Sequence, residues 1–191
     1  MTTDERQDGL RERSKARRRE TIVRTALERF ADRGFDATTI ADIAVAAEVS
    51  ARTVTLYFPS KLDLALTHFD GFAAELAAGL RDRPAEWTIL DALEHWLRTR
   101  FAENTELDQL SDQMLEANPQ LKAVANSRLA EVIQEGTRLF AEETGSSPDD
   151  FAPRMAAAAA AGVISELCNS PEQENIEAAI AFLRAGVNTL E

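Results

Sequence analysis

Within a dozen residues the chain sets Arg52, Thr53, Thr55 and Leu56 beside Val49, Val54 and Phe58. On a helix, Val54 and Phe58 lie four apart, share one face and turn into a core, and Val49 joins them. Arg52, Thr53, Thr55 and Leu56 are then left on the outer face. A guanidinium there can donate two parallel hydrogen bonds to guanine O6 and N7, or hold a phosphate. The threonine hydroxyls can bond base edges or phosphates, and their methyls can meet thymine. This is the chemistry of nucleic-acid recognition, and it needs a rigid element to aim it.

The segment Thr39 to Lys61, TIADIAVAAEVSARTVTLYFPSK, supplies that element. Its pattern predicts two short helices joined by a tight turn. The first starts after Thr38 or Thr39 and turns Ile40, Ile43, Ala44 and Ala47 inward. The second starts after Ser50, a good N-cap, and stops at Phe58-Pro59-Ser60. That is the layout of a helix-turn-helix, whose second helix enters the DNA major groove. A helix from about Glu12 to Arg33 precedes the pair, with Ile22, Ala26, Leu27 and Phe30 in one stripe and Gly34 as its stop. Ser60, with Asp63 three residues on, caps a fourth helix. Leu62, Leu66, Phe69, Ala73, Leu76 and Leu80 make its apolar seam, which ends near Pro84.

Further helices are expected at about 86–102, 105–117, 119–144, 149–169 and 173–190. Asn104, Asn118-Pro119, Gly145-Ser146-Ser147-Pro148 and Asn169-Ser170-Pro171 separate them. No stretch alternates with period two, so the fold expected is all-α with about nine helices. Residues 1–10 read as a polar, flexible arm, 11–61 as the DNA-binding domain, and 62–191 as a ligand-binding and dimerisation domain.

The formal net charge of −12 would argue against a polyanionic partner if it were evenly spread. Residues 1–61 instead hold 12 Lys+Arg against 10 Asp+Glu, while 62–191 hold 9 against 23. The basic residues of the first part concentrate in Arg11–Arg24, with Arg11, Arg13, Lys15, Arg17, Arg18, Arg19 and Arg24 against Glu12 and Glu20. One module thus suits a polyanion and the other suits solvent, a partner or a neutral ligand. The lone cysteine, Cys168, excludes an intrachain disulfide and fits a reducing cytoplasm. The longest apolar run, Met155–Ile164, is far shorter than the ~20 residues a membrane span needs. A cytoplasmic protein with no membrane contact is expected.

Residues 15–64 resemble the N-terminal domain of the tetracycline-repressor (TetR) family. The likeness rests on the Arg29-to-Phe35 run RFADRGF, Thr38-Thr39-Ile40, Ile43-Ala44, Val49-Ser50, Arg52-Thr53 and Tyr57-Phe58-Pro59-Ser60-Lys61. It implies that Tyr57 and Lys61 grip the DNA backbone and that Thr39 contacts a phosphate. Arg17 and Arg18 of the basic run, with Ser50 and Ala51 at the start of the recognition helix, complete the DNA-facing set. Three positions depart from the family pattern. Glu48 stands where the turn often has glycine, and Thr55 and Leu56 replace aromatic and basic or histidine residues of the recognition helix. Base contacts are then fewer, and DNA shape counts for more. The resemblance also implies a homodimer, most often a repressor, that binds double-stranded DNA at an inverted repeat and is released by a small molecule.

The second module offers no catalytic constellation. His68, His95 and Cys168 are too few and too dispersed for a zinc site, and no Gly-rich phosphate loop or G-x-S-x-G occurs. No metal and no cofactor are expected. Asp149-Asp150 suit a helix N-terminus. Phe69, Phe72, Trp96, Phe101, Met114 and Phe140 are the candidate lining of a pocket for an apolar ligand, each equally readable as core. Ile176, Ile180, Leu183 and Val187 form a four-three-four seam on the last helix. With Ala159 and Gly162 of the preceding helix they are the candidate dimer interface. The competing readings are a regulator without a ligand or acting as an activator, a small helical enzyme, and a helical interaction protein.

Overall fold

The computed structural model describes residues 3–102, 105–170 and 172–190, with side chains described from Gly9 onward except Asn169. Among these residues there are nine helices and no strand. They are α1 (Thr3–Arg33), α2 (Ile40–Ala46), α3 (Ala51–Tyr57), α4 (Lys61–Arg81) and α5 (Ile89–Ala102). α6 (Glu106–Ala117), α7 (Pro119–Thr144), α8 (Phe151–Asn169) and α9 (Gln173–Val187) follow. Asn104 and Pro171, expected as helix breaks, lie outside the described residues.

The helices start where side chains satisfy the free backbone N–H groups of a first turn. Thr39 and Asp42 form a full capping box on α2, with Asp42 N–H donating to Thr39 Oγ1 (3.1 Å) and Thr39 N–H to Asp42 Oδ2 (2.9 Å). The Thr39 hydroxyl donates to the same carboxylate, and with that N–H it holds the Asp42 pKa below its ordinary value. Ser50 caps α3 through Thr53 N–H (3.0 Å), and Ser60 caps α4 through Asp63 N–H (3.0 Å). Thr88 and Asp91 repeat the box ahead of α5.

One boundary departs widely from expectation. α1 begins at Thr3, so residues 3–10 of the segment read as a flexible arm are helical. Its sequence lacks an apolar stripe, but Glu5, Arg6 and Gln7 are good helix formers.

Two compact units emerge from the contacts. The first comprises the residues up to His68 together with Leu107–Lys122, and the second Phe69–Glu106 with Ala123–Glu191. A cut after Lys61 therefore misses a piece of the first unit, since residues of α6 pack with the N-terminal helices. The core of that unit holds Ile22, Leu27, Phe30, Ile43, Val54, Leu64 and Met114, none of them exposed. Val49, expected there too, is half-buried.

The second unit has its own core, in which Leu76, Leu93, Leu97, Leu167, Ile176 and Leu183 meet. Arg184 ties α9 to α5 through Asp91 (2.8 Å) and Glu94. That guanidinium, with Thr88, lowers the Asp91 pKa to about 2.

The α2–α3 turn carries local strain. Glu48 has φ 54°, the left-handed region where a Cβ crowds the following carbonyl. Val49 N–H reaches back to the Ala44 carbonyl (2.9 Å) and closes the turn in this conformation. Glycine has no such conflict, so Glu48→Gly is expected to stabilise the protein by about 1 kcal/mol. A urea denaturation midpoint that falls on this substitution would contradict the assignment of strain to Glu48.

Candidate nucleic-acid interface

Val54 is fully buried and sets the rotation of α3. At 3.6 residues per turn, Arg52 and Leu56 then lie within about 20° of the direction opposite Val54. Both are exposed, as are Ala51 and Thr55, while Thr53 and Tyr57 are half-buried on the flanks. The outer face expected of Arg52, Thr55 and Leu56 is therefore present.

The two threonines are less available than their sequence suggests. Thr53 Oγ1 lies 2.8 Å from the Ser50 hydroxyl, and Thr55 Oγ1 donates to the Arg52 carbonyl (3.1 Å). Thr39, a candidate phosphate contact, has its hydroxyl committed to Asp42. Arg17 and Arg18 are exposed on α1. Arg19, from the same run, lies over the Phe58 ring at 5.2 Å, a cation–π contact to the first unit's core.

Lys61 has a role within the protein. Its ammonium does not stand free at the start of α4. It donates to the Phe35 carbonyl (2.8 Å) and the Thr38 carbonyl (3.0 Å), and sits 4.2 Å from the centre of the Phe35 ring. The turn between α1 and α2 exposes carbonyls that no helix satisfies, and a nearby cation answers them. Lys61 is first of all a clamp within the protein.

Asn118 provides the other half of this clamp, and its role was not foreseen. The side chain is buried and makes three hydrogen bonds. Its Oδ1 accepts from Phe35 N–H (2.7 Å), and its Nδ2 donates to the carbonyls of Phe30 (2.9 Å) and Met114 (2.7 Å). Both backbone groups of Phe35 are thus held by side chains remote in sequence. Gly34, at φ 85°, ends α1 and turns Phe35 into this grip. The α1–α2 turn is further closed by Thr38, whose hydroxyl donates to the Gly34 carbonyl (2.9 Å).

In the second unit, a cavity of about 60 Å³, partly open to solvent, lies among α4, α5, α7, α8 and α9. Every residue lining it is apolar. Leu76 and Leu80 come from α4, Leu93 from α5, and Gly136 and Phe140 from α7, with Ala156 and Ala160 from α8. Of the six aromatic and Met candidates, Phe140 alone lines it. Phe72, Trp96 and Phe101 pack on one another edge to face (5.0 and 6.2 Å), Phe69 stacks on Phe72, and Met114 is buried in the first unit. Large rings close space, whereas the alanines of α8 and Gly136 leave it. The Ala156–Ala161 run was the available signal.

The expected dimer seam faces mostly inward. Ile176, Ile180, Leu183 and Val187 are buried in their own chain, and Leu183 and Val187 reach the cavity wall. Ala159 is half-buried against the same core, and Gly162 is exposed. The apolar side chains facing outward are Phe182 (64% exposed) on α9, and Phe151 and Met155 on α8. α9 is apolar on more than one side, and its own domain takes the stronger stripe.

His68 Nε2 lies 2.7 Å from Asp108, and His95 packs on Trp87. Among the described residues no three potential metal ligands gather. No helix there is long and apolar enough to cross a membrane.

Residues 22–67 match the family model described as bacterial regulatory proteins, tetR family. The HTH-type transcriptional regulator TcmR of Streptomyces glaucescens is 32% identical over 157 residues, covering 77% of this chain and 70% of that protein. Salmonella enterica GusR superposes with a TM-score of 0.67 at 23% identity, over 91% of this chain and 94% of its own. NalD of Pseudomonas aeruginosa, the secondary repressor of the MexAB-OprM multidrug efflux pump, gives 0.64 at 20% identity, over 91% and 97%.

If the grip on Phe35 holds the first unit together, Asn118→Ala should cost about 1–3 kcal/mol, the penalty for leaving buried backbone groups unpaired. Lys61→Met should cost a similar amount, and the double variant less than the sum, since both act on one residue. Urea denaturation of the three variants tests this, and losses below about 0.5 kcal/mol would refute it.

Proposed function

This chain belongs to the TetR family of bacterial regulatory proteins, and on that premise we propose that an apolar small molecule in the second unit's cavity releases the protein from an inverted-repeat operator. Family membership makes the protein a DNA-binding transcriptional regulator that works as a dimer, and its relatives are regulators rather than enzymes. The observation that carries the ligand reading is a cavity whose walls are all apolar. Such walls favour a hydrocarbon or aromatic body and reject a phosphorylated one, because a buried charge would have no partner.

The route from cavity to DNA lies in two helices. α4 opens with Lys61, which grips Phe35, and later supplies Leu76 and Leu80 to the cavity. α7 follows directly on Asn118, the other grip, and supplies Val132, Ile133, Gly136 and Phe140. A ligand that displaces either wall acts on a helix whose first turn fixes the α1–α2 turn. Without ligand, the two α3 helices of a dimer read half-sites whose centres are about one helical turn, ~34–36 Å, or a multiple apart. Residues at the DNA are Arg52, Leu56, Ala51 and Thr55 on α3, with Thr39, Tyr57, Arg17 and Arg18 toward the backbone. The cytoplasm is the compartment where these partners meet.

Dimerisation in this reading uses the outward face of α8 and α9, centred on Phe182 with Phe151 and Met155. An isologous contact repeats each residue twice, so Phe182→Asp should weaken the dimer by roughly a hundredfold or more. Analytical ultracentrifugation showing an unchanged dimer at micromolar concentration would exclude this face.

Ligand and operator must compete reciprocally. A releasing compound should bind the free dimer more tightly than the operator complex by the same factor by which it weakens DNA binding. Calorimetric titration of such a compound with and without operator checks the equality, and equal affinities for both forms would rule out the mechanism. Arg52→Ala should cost roughly 1–3 kcal/mol at the best site, and less on random DNA.

A further inference from the structure

We propose that Leu56 is a specificity-determining residue that reads the C5 methyl of a thymine lying about two base pairs from a guanine read by Arg52, in each half-site. The proposal rests on the operator reading above.

Polar readout on α3 is thin. The Thr53 and Ser50 hydroxyls pair with one another, and the Thr55 hydroxyl is bonded to the Arg52 carbonyl. Among the described residues no hydrogen bond or ion pair engages the Arg52 guanidinium, so it is the strong donor of this face. Beside it stands Leu56, 83% exposed. A single exposed leucine is ordinary on a protein surface. This one is set apart by its place, because with Arg52 it points most directly away from Val54 and so reaches farthest into a groove.

The major-groove edges offer only one apolar group, the methyl of thymine. Against it Leu56 buries apolar surface. Against cytosine N4 or guanine O6 it strips water from a polar group and returns no hydrogen bond, which costs free energy. One side chain thus favours thymine and disfavours its alternatives. The spacing follows from helix geometry. Four residues of α-helix rise about 6 Å, and base pairs rise about 3.4 Å each, so the two contacts fall about two steps apart.

The test begins with selection of duplexes from a random library by the full-length dimer. Each thymine of the selected half-site is then replaced by deoxyuridine, which lacks only the methyl. At one position, about two steps from a selected guanine, the replacement should weaken wild-type binding roughly three- to fivefold, the worth of one buried methyl. Leu56→Ala should bind the thymine and deoxyuridine duplexes equally while melting at the wild-type temperature. Unchanged wild-type affinity at every deoxyuridine, or discrimination that survives in Leu56→Ala, would overturn the proposal. Failure to enrich any sequence would instead overturn the operator reading itself, and this inference with it.

Discussion

Phe35 is held at both of its backbone groups by side chains that come from far along the chain. Asn118 accepts its N–H, and Lys61 donates to its C=O while lying over its ring. Everything that faces DNA depends on this grip, because Phe35 is the residue through which α1 hands the chain to α2. With the turn fixed, Thr39 and Asp42 can start α2 in one direction, and α2 can pack on α1 and α3. With α2 fixed, the strained Glu48 turn determines where α3 leaves, and buried Val54 determines which side of α3 looks outward. The chain of dependence runs from two remote side chains to the orientation of Arg52.

Such an arrangement explains how a helix-turn-helix of such short helices stands as part of a larger unit. α2 and α3 have seven residues each, too few to be stable as isolated helices. Their stability comes from burial of Ile43, Ala44 and Val54 and from caps at their first turns. A buried asparagine with all its polar atoms satisfied adds direction to that burial, since its partners exist only in the correct pose. Lys61 begins α4 and Asn118 immediately precedes α7, and both helices also contribute residues to the cavity wall.

The helices were legible in the sequence wherever a cap or an apolar stripe was local. Thr39, Ser50, Ser60 and Gly34 each mark a boundary within a few residues, and the stripe Ile22, Ala26, Leu27, Phe30 fixes the buried face of α1. The outer face of α3 was legible for the same reason. Features that depend on residues far apart were not. Asn118 next to Pro119 looks like a helix break, and nothing nearby signals that its side chain meets Phe35, 83 positions away. The resemblance reads Lys61 as a grip on the DNA backbone, and only the fold brings the Phe35 and Thr38 carbonyls beneath its ammonium. The seam of α9 was legible as a buried stripe, but periodicity tells which residues are buried and not what buries them. The cavity was sought among aromatic rings, whereas its walls are aliphatic side chains and alanines drawn from five helices.

The central claim is that the grip on Phe35 orients the DNA-reading helix. It is tested most directly by operator binding of Asn118→Ala, measured by fluorescence anisotropy at a temperature where the variant remains folded and dimeric. The account predicts roughly tenfold weaker binding to the selected operator, within the range by which residues remote from a ligand tune affinity. Wild-type affinity in this variant would show that α3 holds its pose without Asn118, and would contradict the account.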